Sequence, residues 1–297
     1  MKRAVLLYNV RAGKGKIERN VERIIGIFRE AEYDIQPLPI QFGMNPFDRC
    51  GAVDLVVVAG GDGTINYVVN AMMDRQLSIP LGIIPAGTAN DFAGAVGMSR
   101  NILKAAYQIA HGNEELIDCG VVEQLKRGGS HDIYFVNIFS FGIFTTTSQH
   151  TPERIKHRIG KMAYLAAAFK ELSRVHGIPL TITTNAESFS CTALLGLVFN
   201  GETAGRIPLA RKSSLRDGVF DCVFLRKRSL VVSAFDMLLY LFGVKTSAVK
   251  YLRACELTLD TMVDEDTDVD GQPGGRFPVK VKCLRGALRV VCPKNNY

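Results

Sequence analysis

Three times before residue 94 the chain runs from an apolar, strand-like segment through a glycine-bearing turn into a helix-like one. Leu55-Val56-Val57-Val58-Ala59 leads into Gly60-Gly61-Asp62-Gly63-Thr64 and a helix over Ile65–Met73. Pro80–Ile84 leads into the run from Pro85 to Ala93, which contains Gly87, Thr88 and Asn90 and has Asn90 or Asp91 as a helix cap. Ala4–Tyr8 leads into Asn9-Val10-Arg11-Ala12-Gly13-Lys14-Gly15-Lys16, with a helix starting near Ile17. Short β-branched runs of this kind read as strands buried on both faces. Strands joined through helices pair in parallel, because a parallel neighbour requires a crossover. The three turns then gather at the carboxyl edge of one sheet, where open α/β sheets bind ligands.

Each turn sets backbone N–H groups at a helix N-terminus, where the helix dipole favours an anion. Glycine suits such a turn because it permits positive φ and lets a phosphate approach the main chain. Taken singly, each is also an ordinary βα turn. The stretch from Gly61 is not the dinucleotide fingerprint, because Asn66 stands where the third glycine belongs, and no Lys-Ser or Lys-Thr closes it as a P-loop. Asp62 is out of place in a pure anion cradle. A carboxylate beside phosphates points to a shared metal ion or to a proton acceptor.

Up to about residue 120 strands and helices alternate: Ala4–Tyr8, Ile17–Glu32, a proline-bearing strand at Ile35–Ile40, Leu55–Ala59, Ile65–Met73, Leu81–Ile84, Asn90–Val96 and Ile102–His111. After Asp118 strands dominate. They are expected at Ile133–Phe141, Leu180–Thr184, Thr192–Phe199, Val219–Leu225, Arg253–Leu259 and Pro278–Cys283, with helices near Arg154–Arg174 and Ser229–Phe242 and a hairpin loop at Gly128-Gly129-Ser130. The expected fold is α/β: a nucleotide-binding α/β domain with a parallel sheet, then a β-rich, antiparallel, sandwich-like domain.

The net charge of +7 suits an acidic nucleotide or an anionic membrane surface, and nothing points to nucleic acid. The 7 cysteines show no Cys-x-x-Cys spacing and read as reduced thiols of a cytoplasmic protein. Leu230–Val244 is too short to span a bilayer. It reads as a helix with Leu230, Ala234, Met237, Leu238, Leu241 and Phe242 on one face, for core packing or, with Arg226-Lys227-Arg228 before it, for lipid contact. The 5 histidines (111, 131, 150, 157 and 176) have no ligand spacing and read as surface residues. Asp266-x-Asp268-x-Asp270-Gly271 imitates the start of an EF-hand loop, but Phe277 occupies the place of its closing Glu, and Asp264, Glu265 and Asp266 read as a solvated hairpin tip.

Close to end to end, the chain resembles the diacylglycerol kinase catalytic family in its bacterial lipid kinase branch. The resemblance rests on Asn9-x-x-x-Gly13, Gly60-Gly61-Asp62-Gly63-Thr64, the run from Pro85 to Ala93, Asp118 and Phe135-Val136-Asn137. It continues through Gly160-Lys161-Met162-Ala163-Tyr164, Asn200-Gly201, Asp217-Gly218, Asp270-Gly271 and Ala287–Pro293. The Gly-Gly-Asp-Gly-Thr loop alone also suits NAD kinases and, more loosely, phosphofructokinases.

The resemblance implies domains at 1–120 and 121–286, with 287–297 returning to the first. It implies Mg2+-ATP held by Asn9, Arg11, Gly13, Gly60, Gly61, Asp62, Gly63, Thr64, Asn66, Gly87, Thr88 and Asn90. It also implies a lipid substrate at a membrane surface and a structural magnesium at Asp217 with the main-chain carbonyls of Ser214 and Val219. A cytoplasmic protein in peripheral contact with the membrane follows, and a homodimer is compatible with it. Two departures stand out. Gln272 occupies the position of the family's catalytic Glu, and Gln has no basic form; Tyr67 replaces a Glu that commonly follows the loop's Asn. Asp62 could serve as the base in its place. So could Asp270, which would share a strand face with Gln272 on a regular strand. Alongside a lipid kinase stand two alternatives, an NAD kinase-like enzyme and a nucleotide- or lipid-binding protein with weakened turnover.

Overall fold

The computed structural model describes residues 1–125, 132–142, 176–205, 207–210, 213–241, 243–244 and 246–294. The expected features at Gly128-Gly129-Ser130, Arg154–Arg174 and Gly160–Tyr164, histidines 131, 150 and 157, and Phe242 lie outside the described residues.

The first part is a parallel sheet of β1 (Lys2–Tyr8), β2 (Tyr33–Pro39), β3 (Leu55–Gly60) and β4 (Leu81–Pro85), in the order β4-β3-β1-β2. Every residue of β3 and β4 is buried, as the unbroken apolar runs demand. Four helices accompany it: α1 (Val21–Glu30), α2 (Asp62–Asp74), α3 (Asp91–Ala95) and α4 (Ile102–Ala110). Helix α1 packs against β2 and α4, whereas α2 packs against β3. Register fixes the turns. Tyr8 pairs with Ala59 and Gly60 with Pro85, so Asn9, Gly61 and Ala86 leave the sheet side by side.

The second part is β-rich: β5 (Asn113–Gln124), β6 (Ile133–Phe135), β7 (Ile138–Gly142), β8 (Ile178–Thr184), β9 (Ser188–Phe199), β10 (Thr203–Ala204), β11 (Ile207–Pro208), β12 (Phe220–Arg226), helix α5 (Leu230–Leu241), β13 (Val249–Ala254), β14 (Glu256–Asp260), β15 (Asp266–Val269), β16 (Gln272–Arg276) and β17 (Val279–Cys292). Outside the short β10–β11 pair, these strands join β1–β4 in one mixed sheet. Its core is aromatic. Phe135 stacks on Phe220 at 5.5 Å, and a Cβ on Gly120 or Gly196 would strike the ring of Phe135 or Phe141. Strand β17 ties the halves together, pairing antiparallel with β14 and β5 and parallel with β4 at Val290↔Leu81.

Several boundaries differ from expectation, for local reasons. Helix α2 begins at Asp62 rather than Ile65, because an acidic residue is favoured in a first turn. The helix expected from Ile17 opens with a 3-10 turn at Glu18–Asn20. The strand expected at Ile133–Phe141 breaks at Val136-Asn137, where the N–H groups of Val136, Asn137 and Ile138 turn to the Asp270 carboxylate. The segment Arg253–Leu259 divides at Cys255, and Ala287–Cys292 is the second half of β17, beyond an irregularity between Leu284 and Leu288. Strand β5 was not expected. The described histidines, His111 and His176, are exposed.

Candidate active site

At the carboxyl edge the three turns meet main chain to main chain. A Cβ on Gly87 would lie 2.5 Å from the Cα of Gly61, and one on Gly13, where φ is +57°, would lie 3.3 Å from the carbonyl oxygen of Ala86. Glycine at 61 and 87 is thus required by close approach, and at 13 by a left-handed backbone. Polar side chains lock the arrangement. Asn9 Nδ2 donates to Thr64 Oγ1 at 3.3 Å, and Asn9 Oδ1 accepts from the N–H of Arg11 at 3.0 Å. Asn90 Oδ1 accepts from the N–H of Gly87 at 2.8 Å, and Asn90 Nδ2 donates to the Gly87 carbonyl at 2.9 Å. Thr64 and Asn90 are buried, whereas Arg11, Gly87 and Thr88 are exposed along the rim.

Asp62 sits in the first turn of α2 between these cradles. Its Oδ2 accepts from the N–H of Asn90 at 2.8 Å, while its Oδ1 is buried with no partner. Burial, and then the charge of Asp91, push the Asp62 carboxyl above the usual carboxylate range, against hydrogen bonds that pull it down. A partnerless carboxylate oxygen at the start of a helix fits a cation arriving with a polyphosphate, or a proton.

The second part supplies the opposite wall. Gln272 is exposed at the start of β16, and a Cβ on Gly63 would lie 2.9 Å from its Nε2. The position of the family's base therefore lies against the phosphate loop. Asp270 and Gln272 do not share a strand face. The chain turns between β15 and β16 at Asp270 and Gly271, with φ of +50° and +84°. The Asp270 carboxylate accepts from Val136 N–H (2.8 Å), Asn137 N–H (3.0 Å), Ile138 N–H (2.9 Å) and Asn66 Nδ2 (3.0 Å). Asn66, expected to touch nucleotide, is buried in this network; its Nδ2 also donates to the Tyr134 carbonyl at 2.9 Å, and its Oδ1 accepts from Asn70 Nδ2 at 3.1 Å. Asp91 carries a role that the sequence hid behind helix capping. Its carboxylate accepts from Thr203 Oγ1 at 2.9 Å and from the N–H of Gly205 at 2.7 Å, joining α3 to the second part. Asn66 and Asn70, one helical turn apart, are the signal that could have marked a polar face on α2.

A family model described as the diacylglycerol kinase catalytic domain matches residues 3–122, and one described as the YegS C-terminal NAD kinase beta sandwich-like domain matches residues 137–292. The diacylglycerol kinase of Bacillus subtilis (strain 168) is 30% identical over 99% of this chain and 97% of its own length. The chain belongs to the diacylglycerol kinase family. In fold it resembles the crystal structure of a candidate diacylglycerol kinase from Bacillus anthracis strain Sterne, with a TM-score of 0.81 and 23% identity over 99% of this chain and 96% of that one. Yeast NADH kinase complexed with NADH has a more distant likeness, with a TM-score of 0.57 and 14% identity over 100% of this chain and 84% of that one.

The turn at Asp217 is closed by protein partners. Asp217 pairs with the guanidinium of Arg253, and its Oδ1 accepts from the N–H of Val219 at 3.2 Å. The N–H of Gly218 donates to buried Asp118 at 2.7 Å, and the exposed Ser214 hydroxyl accepts from the N–H of Arg216 at 3.3 Å. Arg253 thus shares the charge of Asp217, the one side-chain ligand that the resemblance implies for a magnesium ion there. Tyr67, the other departure, donates to the Met44 carbonyl at 2.5 Å and accepts from the N–H of Gly43 at 3.1 Å. It pins the loop after β2, where Phe42 lies 5.1 Å from its ring.

Proposed function

We propose that this kinase transfers the γ-phosphoryl group of ATP to the hydroxyl of diacylglycerol or a closely related lipid at a membrane surface. The observation that carries the reading is the buried, partnerless Oδ1 of Asp62 amid three abutting glycine turns. Asn9, Gly13, Gly61–Thr64 and the Gly87–Asn90 turn line the phosphate site. Arg11, exposed at the rim, adds positive charge. Magnesium bound with ATP supplies charge neutralisation, and Asp62 is the residue placed to hold it. The acceptor hydroxyl enters from the side of Gln272, whose amide orients it but takes no proton. With Gln272 unable to take a proton, the carboxylate assigned to accept it is Asp62, beside the phosphate loop.

Lipid access is supported at α5. Val232 and Phe235 are exposed there while Ser233 and Asp236 are buried, and Lys227 and Arg228 are exposed just before the helix. Apolar residues outside with basic residues at one end suit an anionic bilayer surface. No helix among the described residues is long and apolar enough to cross a membrane.

Gln272 favours a second reading, a nucleotide-binding protein with little turnover. The test is γ-labelled ATP with a total lipid extract, with NADH as a parallel acceptor. The expected result is one labelled lipid class, lost in Asp62→Asn with the fold retained by circular dichroism. Label in the dinucleotide, or ATP binding with no labelled product, would refute the lipid kinase reading.

A further inference from the structure

We infer that Asp270 and Asn66 act together as a positioning pair that holds residue 272 over the phosphate loop, so that the nucleotide-side helix and the acceptor-side hairpin keep one geometry. The inference rests on the kinase reading for its consequence, but its structural part stands without it.

The hairpin β15–β16 has no covalent reason to lie against α2. Asn66 and Asp270 are 204 residues apart in sequence, and their side chains meet at 3.0 Å. Four donors reach the Asp270 carboxylate, which fills its roughly four lone-pair sites. None is left for an acceptor hydroxyl, so Asp270 is not the missing base. Three of the donors are consecutive N–H groups from Val136 to Ile138, at the break between β6 and β7, and the fourth is a side chain from α2. One carboxylate thus fixes the hairpin turn to the sheet and to the helix that opens with Asp62.

Asn66 is braced in turn. Its Oδ1 accepts from Asn70 Nδ2, which also donates to the Tyr134 carbonyl at 2.9 Å, while the N–H of Tyr134 donates to Asn70 Oδ1 at 2.8 Å. Helix α2 is therefore clamped to β6 by two amides and to the hairpin by one. Gln272 begins the strand directly after this fixed turn, and its amide reaches Gly63, one helical turn before Asn66. Burial pushes the Asp270 carboxyl up to about 6, which four hydrogen bonds offset only in part, so the group is held where solvation alone would not place it.

The experiment measures hydrogen exchange and steady-state kinetics on the full chain for wild type, Asn66→Ala, Asp270→Asn and the double variant. Asn66→Ala leaves three of the four bonds to Asp270 intact and keeps the fold if Asp270→Asn loses it. Exchange in Asn66→Ala is expected to rise both at the start of α2 and in residues 270–276. Its kcat should fall about tenfold or more, as for the loss of one hydrogen bond to a charged group, with the Kd for a fluorescent ATP analogue within twofold of wild type. The double variant should be no slower than the slower single one, because a unit fails once. Unchanged exchange at residues 270–276 in Asn66→Ala, additive losses, or a loss confined to nucleotide affinity would overturn the inference. If no variant, wild type included, phosphorylates a lipid while the exchange coupling is present, the kinase reading fails and the positioning pair survives.

Discussion

Gly87→Ala tests the close approach on which the phosphate site depends. The added Cβ would sit 2.5 Å from the Cα of Gly61 and 2.8 Å from Asn90 Oδ1, while ordinary contact begins near 3.4 Å. The two turns must therefore separate by about 0.9 Å, since the facing atom at Gly61 is main chain and cannot rotate away. Overpacking of this kind costs roughly 1–3 kcal/mol of stability. The larger effect falls on transfer, because a displacement near 1 Å at a reacting centre costs on the order of 100-fold. Thermal melting and steady-state kinetics with varied ATP would show a drop in Tm of several degrees and a fall in kcat/KM for ATP of about two orders of magnitude. Gly94→Ala is the control, because a Cβ there meets nothing within 4 Å. A Gly87→Ala variant that matches Gly94→Ala in both measurements would refute the claim that the turns are set by mutual contact.

Gln272→Glu restores a carboxylate against Gly63, and general base catalysis is worth about 100- to 10,000-fold, so lipid phosphorylation should rise by a large factor; an unchanged kcat would assign the proton to Asp62. For Asp270, burial raises the carboxyl from its ordinary value of 3.8 to about 6, so the folded chain keeps a proton that the unfolded chain has released between those values. The contribution of this group to stability is then greatest below pH 4 and declines as pH rises to about 6. Urea unfolding should accordingly show Asp270→Asn losing more, relative to wild type, at pH 4.5 than at pH 7, and the opposite ordering would contradict the burial of this carboxylate.

The cradle was legible because each turn is local. An apolar run, a glycine and a helix start lie within a dozen residues, and parallel pairing then brings Asn9, Gly61 and Ala86 together. The opposite wall was not legible. The contact of Gln272 with Gly63 and of Asp270 with Asn66 spans most of the chain, and no period in the sequence encodes it. Strand β5 escaped notice because its first half opens on Asn113, Glu114 and Glu115, poor strand formers that are carried by pairing with β17. The break at Val136 followed from donors that leave the ladder for a carboxylate on a distant hairpin, which local propensity cannot register. The turn at Asp217 shows the converse. The motif is present, but Arg253 from β13 answers its charge.

The central claim is that the three glycine turns hold a triphosphate beside Asp62. A crystal structure with magnesium and a non-hydrolysable ATP analogue tests it most directly. The phosphates should lie among Gly13, Gly61–Thr64 and Gly87, with Asp62 Oδ1 no longer partnerless. Nucleotide bound elsewhere, with that rim left to solvent or filled by the protein's own side chains, would contradict the account.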